Sequence, residues 1–231
     1  MSEKPILFSA PMVRAILEGR KTQTRRVVKF NGPKFFRGAT EQVQEHFALK
    51  SVYPVPKGGF VFWSGEPGKE FSDAAYENSD EGMHCPYGQV GDRLWVRETW
   101  RAEELDEFGE DGIRYRADDH FQIIQNTREA AEAWGDAHRP GNPWRPSIYM
   151  PRWASRITLE IVNIRVERVQ TISADDALAE GIEYEISPLT GRSYPPKQAY
   201  QRLWDSINAK RGFGWDVNPW VWVLELKYLP E

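Results

Sequence analysis

Three short segments hold most of the residues able to do chemistry. They are Gly19-Arg20-Lys21-Thr22-Gln23-Thr24-Arg25-Arg26, Gly91-Asp92-Arg93-Leu94-Trp95-Val96-Arg97-Glu98-Thr99-Trp100 and Ser173-Ala174-Asp175-Asp176-Ala177-Leu178-Ala179-Glu180-Gly181-Ile182. Together they supply an amine, hydroxyls, guanidiniums and carboxylates. Groups of these kinds can serve as nucleophile, proton acceptor, proton donor or anchor for an anion. Plainer readings stand beside this one. Lys21 and its arginines could form a solvated basic edge, Thr24 could be an ordinary strand residue, and Glu180 could face solvent from a helix.

Other side chains are candidates for binding. Trp95, Trp100 and Trp153 each lie beside arginines (Arg93, Arg97, Arg101, Arg152) and could stack on a base. The Trp220-Trp222 stripe reads as core. Arg156 could contact a phosphate or pair with an acid. His84 next to Cys85 resembles half a metal site, but no second pair has ligand spacing, so no metal and no cofactor are expected. His46, His120 and His138 sit alone in polar stretches and read as surface.

The elements that must position these residues follow from periodicity and punctuation. Residues 9–19 read as a helix: Ser9 as cap, Pro11 in the first turn, Met12, Val13, Ile16 and Leu17 on one face, and Gly19 as the stop. A strand is expected from Thr24 to Phe30. A hairpin is expected from Phe47 to Val55 and Phe60 to Trp63 around Lys57-Gly58-Gly59. After the Gly91-Asp92 turn, Arg93–Arg97 reads as half-buried, with Leu94 and Val96 inward. Ile113–Arg116 suggests a short strand, and Thr127–His138 a helix capped by Asn126 or Thr127. Arg156–Val169 is a long strand whose apolar phase switches near Ile161, which predicts a bulge or bend. Ser173 and Asp176 form a capping-box-like pair opening a short helix that ends at Gly181. A further helix runs over Pro196–Asn208 with Ala199, Tyr200, Leu203, Trp204 and Ile207 on one face. The last strand is Trp220–Leu229. No Gly-rich fingerprint follows a strand, which speaks against a dinucleotide-binding fold.

The first segment resembles the opening helix–GRKT–strand signature of the ASCH domain, in the PUA-like superfamily. The second is similar to that domain's GD-x-L-x-V strand, and the third to its short helix with a terminal Glu. The order of these pieces, with PILFSAPMVRAILEGRKTQTRR at the start and MPRWASRI in the middle, resembles the larger ASCH proteins of tailed phages and prophages. The resemblance implies an α+β fold: one domain over 1–231, a small PUA-like β-barrel with flanking helices (core about 5–30, 90–100 and 156–229) and two long insertions (about 31–90 and 101–150).

A shorter branch of ASCH proteins hydrolyses 4-acetylcytidine through a Lys-x-x-Thr pair and a Glu. These match Lys21, Thr24 and Glu180. The resemblance implies Thr24 as nucleophile, Lys21 as its base and Glu180 as proton donor to the leaving amine. It places Arg20, Thr22, Arg25, Arg26, Trp95, Arg97 and Arg156 as candidates to hold the substrate. A lysine can serve as base only if its pKa falls from about 10.4 towards 7 or 8, a cost of about 4 kcal/mol for three units. Neighbouring Arg20, Arg25 and Arg26 push in that direction.

Composition limits the partners. The formal net charge is −4 and the sequence pI about 5.7, which argues against coating duplex nucleic acid by bulk charge. Six basic residues and one acid between Arg14 and Lys29 make a local basic patch, better suited to a small anionic or nucleotide-like ligand. The single cysteine, Cys85, excludes an intrachain disulfide. With no signal-peptide h-region and no apolar run of membrane length, a cytoplasmic protein is expected, in a bacterial host if phage-encoded. Three functions compete: an amidohydrolase of an N-acylated cytidine-type nucleoside, a reader of RNA or a modified base, and a phage-associated interaction protein.

Overall fold

The computed structural model describes residues 2–29, 51–54, 60–63, 83–105, 110–124, 127–138, 141, 143–184, 191 and 194–230. The protein is α+β. Its chain divides into two compact units: Met1–Thr22, Gly91–Glu160 and Lys227–Glu231 form the first, Gln23–Val90 and Ile161–Leu226 the second. The described strands form no closed barrel.

In the first unit, β1 (Glu3–Leu7) pairs in parallel with β5 (Arg93–Arg97), and β5 pairs antiparallel with the start of β9 (Thr158–Arg168). Helix α1 (Ala10–Leu17) buries Val13, Ala15 and Ile16. Pro11 sits in its first turn as expected. The Ser9 side chain makes no capping bond, however; only its carbonyl takes part, accepting from Val13 N at 2.9 Å. Gly19 ends the helix at φ 72°, a left-handed conformation that glycine adopts without a Cβ clash.

Also in this unit, β6 (Trp100–Leu105), β7 (Glu110–Tyr115) and β8 (Phe121–Ile123) form a three-stranded antiparallel meander. Helix α2 (Arg128–Ala137) packs on it, its first turn closed by Thr127 Oγ1 accepting from Ala130 N at 3.1 Å. Trp100, Ala102, Ile113, Tyr115, Trp134 and Met150 form a core of their own there. The stretch read as an insertion thus carries its own sheet, helix and apolar centre.

In the second unit, β2 (Gln23–Val27) pairs antiparallel with β10 (Trp220–Leu229), placing Gln23 opposite Glu225, Thr24 opposite Leu224, Arg25 opposite Val223 and Arg26 opposite Trp222. Strand β10 also neighbours β9. The hairpin is present as β3 (Ser51–Pro54) and β4 (Phe60–Trp63); its turn and the expected residues 47–50 lie outside the described residues. Helices α3 (Ala174–Ala179) and α4 (Pro196–Asn208) contribute to a second core, which Val221 and Val223 share with Ala177, Tyr200, Trp204 and Trp215.

Two details differ from the pattern read off the sequence. Ile207, placed on the buried face of α4, is 55% exposed, while Asn208 is buried in its stead. Trp95, placed on the polar phase of β5, is buried along with Leu94 and Val96. Strand β10 is buried on both faces from Trp220 to Leu224. A central strand covered on both sides loses the alternation that a half-buried strand shows.

Candidate functional site

Strand β2 runs directly out of the basic segment and carries the site. Alternation along a strand sends Gln23, Arg25 and Val27 to one face and Thr24 and Arg26 to the other. Thr24 is wholly buried (0% exposed), and its Oγ1 accepts from Arg26 Nη1 at 2.6 Å. On the opposite face the Arg25 side chain is fully buried and reaches four partners. Its Nη1 donates to Gln23 Oε1 at 2.8 Å and Glu180 Oε1 at 3.2 Å. Its Nη2 donates to Asp176 Oδ2 at 3.0 Å and Glu167 Oε2 at 3.3 Å.

Glu180 comes to this cluster through a local device. Ser173 Oγ accepts from Asp176 N at 3.0 Å, the expected cap, which starts α3. One and a half turns later Glu180 is the C-cap residue, its N–H bonded to Asp176 O at 2.9 Å, and Gly181 turns away at φ 87°. Asp176 and Glu180 are four residues apart, so both carboxylates lie on one helix face. Glu180 is 5% exposed. It does not face solvent.

The cluster extends along the sheet. Arg165 on β9 joins Glu167, Glu225 and Asp176, the last at 3.2 Å from Nη2. Burial pulls the Asp176 carboxyl upward, but the Gln23 hydrogen bond and the charges of Arg25 and Arg165 outweigh it and hold the group below the usual aspartate range. Burial pushes the Tyr200 phenol well above 10, the Glu180 charge adds to this, and Arg25 and Arg26 oppose it. Burial likewise raises Tyr87, against the charge of Arg26. Arg165, Glu167 and Glu225 escaped notice in the sequence.

Of the candidates in the first unit, Lys21 is 5% exposed; its backbone N–H bonds Ala15 O at 2.9 Å and its Nζ lies 5.4 Å from the Phe8 ring centroid. Arg20 pairs with Glu18, and Thr22 is exposed. Arg97 lies over the Trp95 ring at 4.7 Å and donates to Ile148 O at 3.2 Å. Trp100 is buried, Trp153 is 39% exposed, and the two rings meet edge to face at 5.9 Å.

Arg156 takes the second of its two alternatives. Its guanidinium grips Glu98 through Nε and Nη2 at 2.9 and 3.1 Å, and Asp118 through Nη1 and Nη2 at 2.9 and 2.8 Å. It also lies 4.0 Å from the Tyr115 ring centroid. Four of its five N–H groups are committed to carboxylates.

Among the described residues, no group of three or more His, Cys, Asp or Glu is arranged to hold a metal ion, and no helix is long and apolar enough to cross a membrane. Compared with known proteins, the chain matches no family model, no curated protein and no solved structure.

Proposed function

We propose that this chain is an ASCH-type, PUA-like protein that hydrolyses the amide of an N-acylated cytidine-type nucleoside. The observation that carries this reading is the treatment of two polar side chains far apart in sequence. Thr24 and Glu180 are both withdrawn from solvent, and each is held by an arginine of the same strand, Arg26 and Arg25 respectively. Withdrawing polar groups from water is costly unless they are hydrogen-bonded, and here the partners are charged.

In this scheme the Thr24 hydroxyl adds to the acyl carbonyl and its proton passes to Lys21, three residues back in the chain. The C–N bond breaks as a protonated Glu180 gives its proton to the amine; water then attacks the acyl–Thr24 ester and returns a proton to Glu180, while Lys21 returns its proton to the Thr24 oxygen as the carboxylic acid leaves. Net, one water is consumed for one amine and one acid. Arg26 donating to Oγ1 stabilises negative charge that develops on that oxygen. Arg25 orients the Glu180 carboxylate.

A module that binds an extruded base without chemistry is the second reading. Arginines set over tryptophan rings favour it, as with Arg97 at 4.7 Å from the Trp95 ring centroid.

Incubating the purified protein with 4-acetylcytidine and measuring cytidine and acetate release separates the two. Turnover is expected in the parent, with losses on the order of 10²–10⁴-fold in folded Thr24→Val, Lys21→Ala and Glu180→Gln. Absence of turnover in the parent, with base-dependent RNA binding lost in Arg26→Ala, establishes the reader instead.

A further inference from the structure

We infer that Arg25 is the positioning residue for Glu180, holding its carboxylate in the orientation the reaction uses. This rests on the reading of Glu180 as the proton donor. A strand residue at this position would ordinarily be apolar. On the helix-covered face of β2, Val27 packs against the apolar core, and Val221 and Val223 of the paired strand belong to it. Arg25, opposite Val223, is instead a fully buried cation.

A buried ion pair is weak as a source of stability, because desolvating the charges offsets their attraction, and an apolar side chain of similar volume often serves the fold as well. What a guanidinium supplies and an apolar residue does not is direction. It is a planar fork whose N–H groups fix the angle of each acceptor. Arg25 spans three elements with that fork. Nη1 takes Glu180 at the end of α3, Nη2 takes Asp176 one turn earlier on α3, and Nη2 also takes Glu167 on β9. Two contacts to one helix, four residues apart, fix the rotation of that helix as well as its distance from the strand. Glu180 is the terminal residue of α3, where a helix frays most readily, so its carboxylate depends on such an anchor.

The test compares the parent with Arg25→Lys and Arg25→Gln, with circular dichroism and thermal melting establishing that each is folded. With 4-acetylcytidine as the probe, the glutamine variant is expected to lose at least about tenfold in kcat with KM changed less than about threefold, as removal of an interaction used in the reaction step requires. The lysine variant keeps the charge but not the fork, and is expected to recover only part of the loss. Guanidinium ion at low millimolar concentration is expected to restore the glutamine variant, and ammonium ion is not. Unchanged kcat in a folded glutamine variant overturns the inference, as does full recovery by lysine. If the parent itself shows no turnover, the catalytic reading fails. The anchoring is then decided by crystal structures of the lysine and glutamine variants: a displaced or disordered Glu180 carboxylate upholds it, and a carboxylate left in place overturns it.

Discussion

Glu98 and Arg156, 58 residues apart, face each other through two parallel N–H···O bonds of 2.9 and 3.1 Å, with both side chains nearly closed to solvent. Burial raises the Glu98 carboxyl, and the hydrogen bond and charge of Arg156 pull it back without fully cancelling the rise. Arg156 also holds Asp118, the residue after Ala117, whose carbonyl accepts from Arg14 of α1 at 2.6 Å. One guanidinium therefore ties β5, the start of β9 and the meander loop together within the first unit. Removing one partner leaves the other buried and uncompensated. Arg156→Met is expected to cost about 3–5 kcal/mol, which lowers the melting midpoint by on the order of ten degrees in a chain of this size. The double variant Glu98→Gln/Arg156→Met is expected to be more stable than Arg156→Met alone. A single variant as stable as the parent in urea unfolding would rule this out.

Acid stability follows from the directions in which these groups titrate. Asp176 and Asp118 are both lowered: burial raises each, but the Gln23 hydrogen bond with Arg25 and Arg165 outweighs it at Asp176, and Arg156 with His120 outweighs it at Asp118. A lowered carboxyl contributes stability that is in place above the usual aspartate value, about 3.9, and is lost as pH falls through the folded-state value. Glu98 has the opposite sign. Its folded state holds the proton to higher pH than the unfolded chain does, so its contribution declines as pH rises above about 4.3. Melting midpoints are expected to fall steeply below about pH 4. Asp176→Asn removes one source of that fall and is expected to flatten the acid limb; an acid limb as steep as the parent's would show that Asp176 plays no part.

The ends of several elements were legible because a single residue type sets each one. Helix α4 spans Pro196–Asn208 as read, since proline suits a first turn and the apolar spacing continues to Trp204. The capping pair of Ser173 and Asp176 and the stop at Gly181 were legible for the same reason. The ionic cluster was not. Arg25, Glu167, Arg165, Asp176 and Glu225 are scattered over two hundred residues, on β2, β9, α3 and β10, and only sheet order brings them together. The family resemblance singled out Thr24 and Glu180, but their burial and the arginine that each one meets depend on that same tertiary placement. Arg156 shows the limit most plainly: phosphate and carboxylate both suit a guanidinium, and nothing nearby in sequence names Glu98 as its partner.

Gly112 tests the packing of the meander. A Cβ added there would run into the Phe121 ring and lie 2.7 Å from Gln122 O. Both belong to β8, which pairs with β7 through Gly112↔Ile123 and Ile113↔Gln122. The Gly112 carbonyl also accepts from Trp134 Nε1 at 2.7 Å, which docks α2. Gly112→Ala therefore pushes apart two contacts at once and is expected to cost about 1–3 kcal/mol. Hydrogen exchange is expected to speed up in β7, β8 and α2 before the rest of the chain; uniform exchange at the parent's rates would show that the sheet absorbs the methyl group.

Ser173 is the most direct lever on the candidate site that does not touch it. Its hydroxyl satisfies the Asp176 N–H at the start of a six-residue helix, and that helix carries both carboxylates that Arg25 holds on α3. So short a helix has little cooperativity of its own, because nucleation costs more than the few added hydrogen bonds return. Ser173→Ala is expected to destabilise the protein by about 1 kcal/mol, and Ser173→Asp, which retains an acceptor, to restore most of it. The loss should fall on α3 first. Amide exchange of Ala177 and Glu180, which bond Ser173 O and Asp176 O, is expected to quicken several-fold while that of β10 is unchanged. Equal exchange in the two variants at α3 would mean that the arginine contacts, and not the cap, hold the helix in place.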